Sequence, residues 1–340
     1  MTALRTLAFA ALTFAMTGCA HKVNVSYLEA ARIDVDQDIR TVLVIDRSRA
    51  RGAEHVLSAA EGAATGETYM LDADSAAIAL EALEDVLDDG QRFEVVSFHV
   101  DGRAVDTSIW DREMAARKVR QLCRQAHCDA VIALDAFDSD TTTAVKPRKD
   151  EKDVDFQATQ DTDVVATFRM YDGDTGRVID ESRVTAGSSA ASSTRDTPVQ
   201  ALNDLPYEAA VFDGAAALGA GYGARISPHT VVDSRTLYSG GSDVMRKAHR
   251  AAKRGDLQRA VDLWAAEANS GDPGVRAKAL YNLAVAAEAD ENLRRAARLA
   301  RDASLAGGKK RMRTYVAVLE DRQDNASRVR SQLGRSVARR

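Results

Sequence analysis

Two eight-residue stretches in the C-terminal third that align with each other constrain the fold more than any other feature. Lys253-Arg-Gly-Asp-Leu-Gln-Arg-Ala260 aligns with Ala289-Asp-Glu-Asn-Leu-Arg-Arg-Ala296 at an offset of 36 residues. A period of this size marks stacked helical hairpins, each unable to bury its apolar face alone. Leu257 matches Leu293, and Ala260 matches Ala296. Trp264 takes the large position of the first unit, and Ala300 replaces it in the second. Leu280-Tyr281-Asn282-Leu283 reads as the first helix of the second unit. Small residues at Ala260 and Ala296 let paired helices approach, and Trp264, Tyr281 and Leu283 fill the space between them. Gly255, Leu257 and Leu293 belong to the same packing set. A further stretch places Met312, Tyr315, Val316 and Leu319 at i, i+3, i+4 and i+7, an amphipathic helix suited to cap the array.

The other end of the chain carries an address. Arg5 is the single charge before Cys19, Leu7 to Met16 is apolar apart from Thr13, and Thr17 and Gly18 are small. That is the layout of a secretory signal over residues 1–18. The apolar run of about ten residues is half of what a spanning helix needs. Met16-Thr17-Gly18-Cys19 resembles the bacterial lipobox, in which the thiol takes a diacylglycerol and becomes the first mature residue. That resemblance implies lipidation of Cys19. Ala20, not aspartate, follows it, which implies the outer membrane with the body facing the periplasm.

Between the two ends, Thr41-Val-Leu-Val-Ile45, Phe93-Glu-Val-Val-Ser-Phe98 and Ala130-Val-Ile-Ala-Leu134 read as strands. A helix capped at Asp74 and ended by Gly90 falls between the first two, and a helix from Trp110 to Arg124 between the second two. Strand, helix, strand, helix, strand implies an α/β fold with a partly parallel sheet. Val164–Tyr171 and Arg177–Val184 flank Asp172-Gly-Asp-Thr-Gly176 and read as a hairpin. Residues 138–162 and 187–199 read as polar loops, and Leu205–Leu218 as an alanine-rich helix covering the sheet. The predicted organisation is a signal peptide (1–18), a tether (19–37), an α/β domain with a mixed sheet (38–226), a linker (227–240), all-α helical repeats (241–325) and a basic tail (326–340).

Two resemblances follow from these motifs. The strand Val42–Asp46, the segment CDAVIALDAF and the hairpin RMYDGDTGRVIDES resemble, in that order, the α/β domain of TolB-type translocation proteins and of the curli-secretion lipoprotein group. The repeat resembles tetratricopeptide units. Together they resemble a family of uncharacterised bacterial lipoproteins with a TolB-like domain followed by two tetratricopeptide-like units, carried most clearly by residues 231–264 and 277–303.

Little in the chain points to chemistry. The six histidines are scattered, with no HExxH pair, and no G-x-S-x-G elbow occurs. Asp172 and Asp174 alternate as in a calcium loop, but the third acid and the distal glutamate are missing. Gly219-Ala-Gly-Tyr-Gly223 follows a helix and reads as its end and a turn. Cys123 and Cys128 stand at a helix end and the next strand start. An oxidising compartment permits a disulfide there, while His127 beside them lacks the further ligands of a zinc site. A net charge of −5 and a pI of 5.8 give no sign of nucleic-acid binding. No cofactor is expected. The tail after Asp324 carries five arginines and no acid, a solvated helix end or a contact for anionic headgroups.

The expected function is that of a non-enzymatic adaptor. It is held to the membrane through lipidated Cys19 and binds envelope proteins through the repeat or the α/β domain. Repeat grooves hold peptides through inner-helix side chains, and Met245, His249, Ala252 and Asn282 are the predicted inner-face positions. The alternatives are an oligomeric secretion-type assembly and a cell-wall-acting enzyme. Lys146, Arg148, Lys149 and Lys152, with Phe156 the one aromatic residue of 138–162, argue against a membrane-spanning hairpin.

Overall fold

The computed structural model describes residues 22–48, 69–96, 113–149, 154–307 and 309–334. Cys19, the signal segment and Trp110 lie outside the described residues. The chain divides into two compact units. The helical unit takes the described residues up to Glu29 together with Thr230–Ser331. The α/β unit takes Ala30–His229 and the residues from Gln332 onward.

The chain opens with β1 (Lys22–Glu29), which belongs to the helical unit. The α/β unit then runs β2 (Thr41–Asp46), α1 (Tyr69–Gly90), β3 (Glu94–Val95), α2 (Ala116–Ala126), β4 (Ala130–Lys149), β5 (Val154–Asp172), β6 (Val178–Ala191), α3 (Pro198–Asn203) and α4 (Tyr207–Ile226). The sheet order is β3-β2-β4-β5-β6. β2 pairs in parallel with β3 and β4, and the β4, β5, β6 ladder is antiparallel. The predicted mixed sheet with flanking helices is therefore the observed fold. Both faces of the parallel part are covered, so β2 and the start of β4 are apolar on both sides. Val42, Ile132, Leu134, Phe168 and Met170 face a core shared with Leu83, Leu87, Val211, Leu218 and Tyr222. Leu43, Ile45, Val131, Ala133 and Tyr171 face Val119 and Leu122 of α2.

Three local readings change. Helix α1 is already formed at Tyr69, so Asp74 lies inside it and does not cap it. The Gly219–Gly223 run lies inside α4, not at its end. A Cβ on Gly219 would fall 1.8 Å from the Ala79 carbonyl oxygen, and one on Gly223 2.8 Å from Cβ of Val86. These glycines let α4 lie directly on α1. Third, residues 138–149 and 154–162 are strand. β4 and β5 pair continuously up to Lys149↔Val154, with one register shift between Leu134 and Ala136. One face of this extension is polar yet buried. Ala158, Gln160 and Thr162 of β5 are at most 2% exposed, beneath the segment that carries the buried Ser192 and Ala201 of α3. Gln160 donates to Thr162 Oγ1 at 2.9 Å, and Ser192 Oγ accepts from the Ala158 amide at 2.9 Å. A strand that buries hydroxyls and amides shows no apolar alternation, which is why it reads as a loop.

The helical unit adds β7 (His229–Thr236), α5 (Asp243–Lys253), α6 (Leu257–Glu267), α7 (Pro273–Ala289), α8 (Leu293–Gly307) and α9 (Lys310–Gln332). The 36-residue offset is visible in its geometry. Gly255 and Glu291 both take positive φ, +83° and +57°. Asp256 and Asn292 then accept from the amides of Arg259 and Arg295, at 3.2 and 3.1 Å. Ala260, Trp264 and Ala296 are fully buried, Tyr281 and Leu283 nearly so, and Leu257 and Leu293 pack on the same core. Gly255 is a correction within the packing set. A Cβ there would meet nothing within 4 Å, and its role is the left-handed turn between α5 and α6.

The expected tether and linker are also structured. Their residues 22–29 and 229–236 are β1 and β7, which form a two-stranded sheet. Part of the expected basic tail continues α9 to Gln332.

Candidate functional site

Of the residues predicted to line a groove, Met245, His249 and Ala252 lie on α5 and Asn282 on α7, and the chain itself fills the space expected to be open. Met245, Ala252 and Asn282 are at most 2% exposed. They are core positions, not the lining of an open groove. The physical reason is that Leu237 and Val23, from the segments read as linker and tether, join the same buried cluster. His249 is partly exposed, and burial together with Lys253 lowers its imidazole pKa.

Asn282 grips the backbone of Tyr238 at two points. Its Oδ1 accepts from the Tyr238 amide at 2.9 Å, and its Nδ2 donates to the Tyr238 carbonyl at 2.8 Å. An amide side chain offers both a donor group and an acceptor, the complement of one residue's backbone N–H and C=O. The Tyr238 ring meets Tyr281 edge-on at 5.0 Å, and the Arg311 guanidinium lies 5.1 Å from each ring centroid.

Six residues along α7, Glu288 anchors the preceding residues of the same segment. It is fully buried. Arg235 donates from Nε and Nη2 to its two oxygens, each at 3.0 Å. The Tyr315 hydroxyl donates to Oε2 at 2.6 Å, and Arg322 lies 3.5 Å from Oε1. Arg322 stacks on the Tyr27 ring at 3.2 Å, and Tyr27 donates to Asp233 at 3.1 Å. Burial opposes the charge on Arg235, but Glu288 and Asp233 outweigh it and hold its pKa above the ordinary arginine value. Burial, then the Glu288 charge, pushes the Tyr315 phenol up. The arrangement clamps an extended segment onto a helix face through its backbone and one arginine.

The α/β unit has a second polar cluster. β2 and β4 are parallel neighbours whose connections leave toward opposite sides, the position at which such sheets bind ligands beyond their carboxyl ends. Here Asp135 occupies it, placed at the register shift of β4 that re-aims the strand. Asp135 is 1% exposed and pairs with Arg47 and with Arg169, the latter at 2.7 Å. Tyr171 donates to Asp135 at 3.1 Å and accepts from the Met114 amide at 3.1 Å. Arg169 continues to Glu181 at 2.9 Å. Burial raises the Asp135 pKa against the pull of both guanidinia. Burial, then Asp135, pushes the Tyr171 phenol up to about 12. Nothing in the sequence marks these residues as a cluster.

Cys123 and Cys128 form a disulfide, so neither is a zinc ligand. His127 turns the chain at φ +57°, and the Cys128 amide returns to the Cys123 carbonyl at 3.1 Å. Asp172 spends its carboxylate inside its own turn, accepting from Asp174 and Thr175. Among the described residues no group of three His, Cys, Asp or Glu side chains could hold a metal ion. No described helix is long and apolar enough to cross a membrane.

Among solved structures, the chain is similar to a dodecamer of a PelC point variant from Paraburkholderia phytofirmans. Identity is 13%, 60% of this chain and 99% of that chain are covered, and the TM-score is 0.24. No curated protein matches it. Residues 246–321 match a family described as a domain of unknown function (DUF6340). Residues 39–238 match another, and the chain belongs to that family, described as a domain of unknown function (DUF8603).

Proposed function

We propose that this protein is a lipid-anchored adaptor of the bacterial cell envelope. Cys19 carries the lipid, the outer membrane holds it, and the folded units face the periplasm and bind other envelope proteins. The helical unit is of the tetratricopeptide-like kind and the α/β unit TolB-like. The observation that carries the binding reading is the Asn282 grip on Tyr238. This helical face already holds an extended segment through backbone groups that any peptide offers, so a partner segment meets the same chemistry once Arg235–Tyr238 is displaced. The Asp135 cluster supports binding over catalysis. Arg47, Asp135 and Arg169 are at most 6% exposed and are ion-paired with one another, whereas a general acid or base must reach its substrate.

A second reading, self-assembly, has one observation in its favour. β6 is the outer strand of the five-stranded sheet over fourteen residues and contains no proline or lysine, and such an edge is open to pairing with another chain.

Cross-linking in native membranes followed by mass spectrometry separates the two. The adaptor reading expects a reproducible envelope protein linked to residues 241–325. Self-links through residues 178–191 on large particles, with no other partner, would overturn it.

A further inference from the structure

The division of the chain into units exposes a charge asymmetry that the total of −5 conceals. Residues 30–229 hold 21 Lys and Arg against 37 Asp and Glu, while residues 230–331 hold 20 against 13. The helical unit is a basic body within an acidic protein.

Helix α8 concentrates that charge on one line. Ala296, Ala297, Ala300 and Ala303 are buried on its inner side. Arg294, Arg298, Arg301 and Leu305 follow at i, i+4, i+7 and i+11 on the opposite side, a line about 16 Å long. All four are exposed, and Leu305, at 86%, is the most exposed large apolar side chain among the described residues. Arg295 flanks the line, and Lys309 and Lys310 follow at the start of α9, all exposed. The nearby acids are fewer: Asp290 and Glu291, exposed just before the helix, Asp302 on the flank, and Glu320, which pairs with Arg301 at 2.8 Å.

We propose that this outer face of α8 docks on an anionic membrane surface, with Arg294, Arg298 and Lys310 on headgroup phosphates and Leu305 in the acyl boundary. Guanidinium forks suit phosphate oxygens. A basic helical line that ends in an exposed leucine suits a flat charged interface with an apolar layer beneath it. A partner that offered acidic groups alone would satisfy the arginines and leave Leu305 in water. The proposal rests on the envelope reading above. A lipid on Cys19 would keep the face at high effective concentration near the bilayer, so that a weak contact suffices.

The test uses residues 19–340, which contain every described residue, with Cys19→Ser so that no acyl group contributes. The probe is phosphatidylcholine vesicles with and without phosphatidylglycerol, read by sedimentation. Binding is expected only with the anionic lipid and weakens as salt rises. Each basic residue at such a surface is worth about fivefold in partition, so losing the two positive charges alone lowers it roughly thirtyfold, and Arg294→Glu with Arg298→Glu, which also adds two negative charges, lowers it further. Arg294→Lys with Arg298→Lys retains most of it, and Leu305→Ser weakens binding at all salt concentrations. Equal binding by the glutamate variant, equal binding to neutral vesicles, no binding at all, or equally tight capture of soluble polyglutamate would each overturn the proposal. Because the acyl group is absent, the outcome does not depend on whether Cys19 is lipidated in the cell, which the mass of the native N-terminus decides.

Discussion

Replacing Asn282 by alanine tests whether the segment around Tyr238 is bound or merely lies on the helical unit. The substitution removes two hydrogen bonds, of 2.9 and 2.8 Å, from a fully buried side chain. It leaves the Tyr238 N–H and C=O without their partner. An unpaired buried polar group costs about 1–3 kcal/mol. Tyr238 is only partly buried, so water reaches some of this position and the lower half of the range applies to each group. The expected loss is about 3 kcal/mol for the pair. With a urea dependence of about 2 kcal/mol per molar, the unfolding midpoint of the helical unit falls by about 1.5 M. The chain has two tryptophans, Trp110 and Trp264. In a Trp110→Phe background, the fully buried Trp264 reports on the helical unit alone. Asn282→Asp keeps the acceptor for the amide but faces the Tyr238 carbonyl with a carboxylate, so it is no better than alanine. A midpoint shift below about 0.3 M for Asn282→Ala would refute the reasoning, because the backbone of Tyr238 would then satisfy itself as well in water as on α7.

Three further outcomes are expected. Glu288→Gln removes the buried charge between Arg235 and Arg322 and destabilises the helical unit by about 3–5 kcal/mol; Arg235→Met in the same chain recovers part of the loss, and strict additivity in urea melts would contradict the ion-pair account. Gly219→Ala lowers the melting temperature because its Cβ collides with the Ala79 carbonyl, whereas Gly221→Ala, with nothing within 4 Å, raises stability by about 0.5–1 kcal/mol; the same sign for both would sink the helix-contact argument. Burial opposes the Asp129 carboxylate, but hydrogen bonds from the amides of Thr41 and Arg40 and the Thr41 hydroxyl outweigh it and hold its pKa below the ordinary value. Its contribution is therefore present above the unfolded pKa of about 3.9 and is lost as pH falls through the lower folded value. The wild type is then more stable than Asp129→Asn at neutral pH, with a difference that closes in acid, and a pH-independent difference in urea midpoints would contradict this.

What could be read in advance was local. The Gly255-Asp256-Leu257 turn and its counterpart at Glu291-Asn292-Leu293 declare themselves because the positive φ and the cap lie within three residues. The parallel strands were visible as apolar runs, since both of their faces are buried. The positions that bring distant residues together were not visible. Asn282 meets Tyr238 across 44 residues, and Glu288 meets Arg235 across 53. Nothing near either residue marks it as a clamp, so Asn282 read as groove lining when it is the latch that closes the groove. The alternation Val23-Asn24-Val25 was the missed sign that the tether is a strand. Asp135 was hidden for a different reason. It follows an unbroken apolar run, and only the register shift beside it turns its carboxylate toward Arg47 and Arg169.

The account stands most directly on where the mature chain begins. The intact mass of the native protein, with its N-terminal peptide sequenced by mass spectrometry, settles that point. A chain starting at Cys19 and carrying diacylglycerol is the predicted result, and it would be lost in Cys19→Ser. A mature N-terminus at another residue, or an unmodified Cys19, would contradict the membrane tether and with it the adaptor built on that tether.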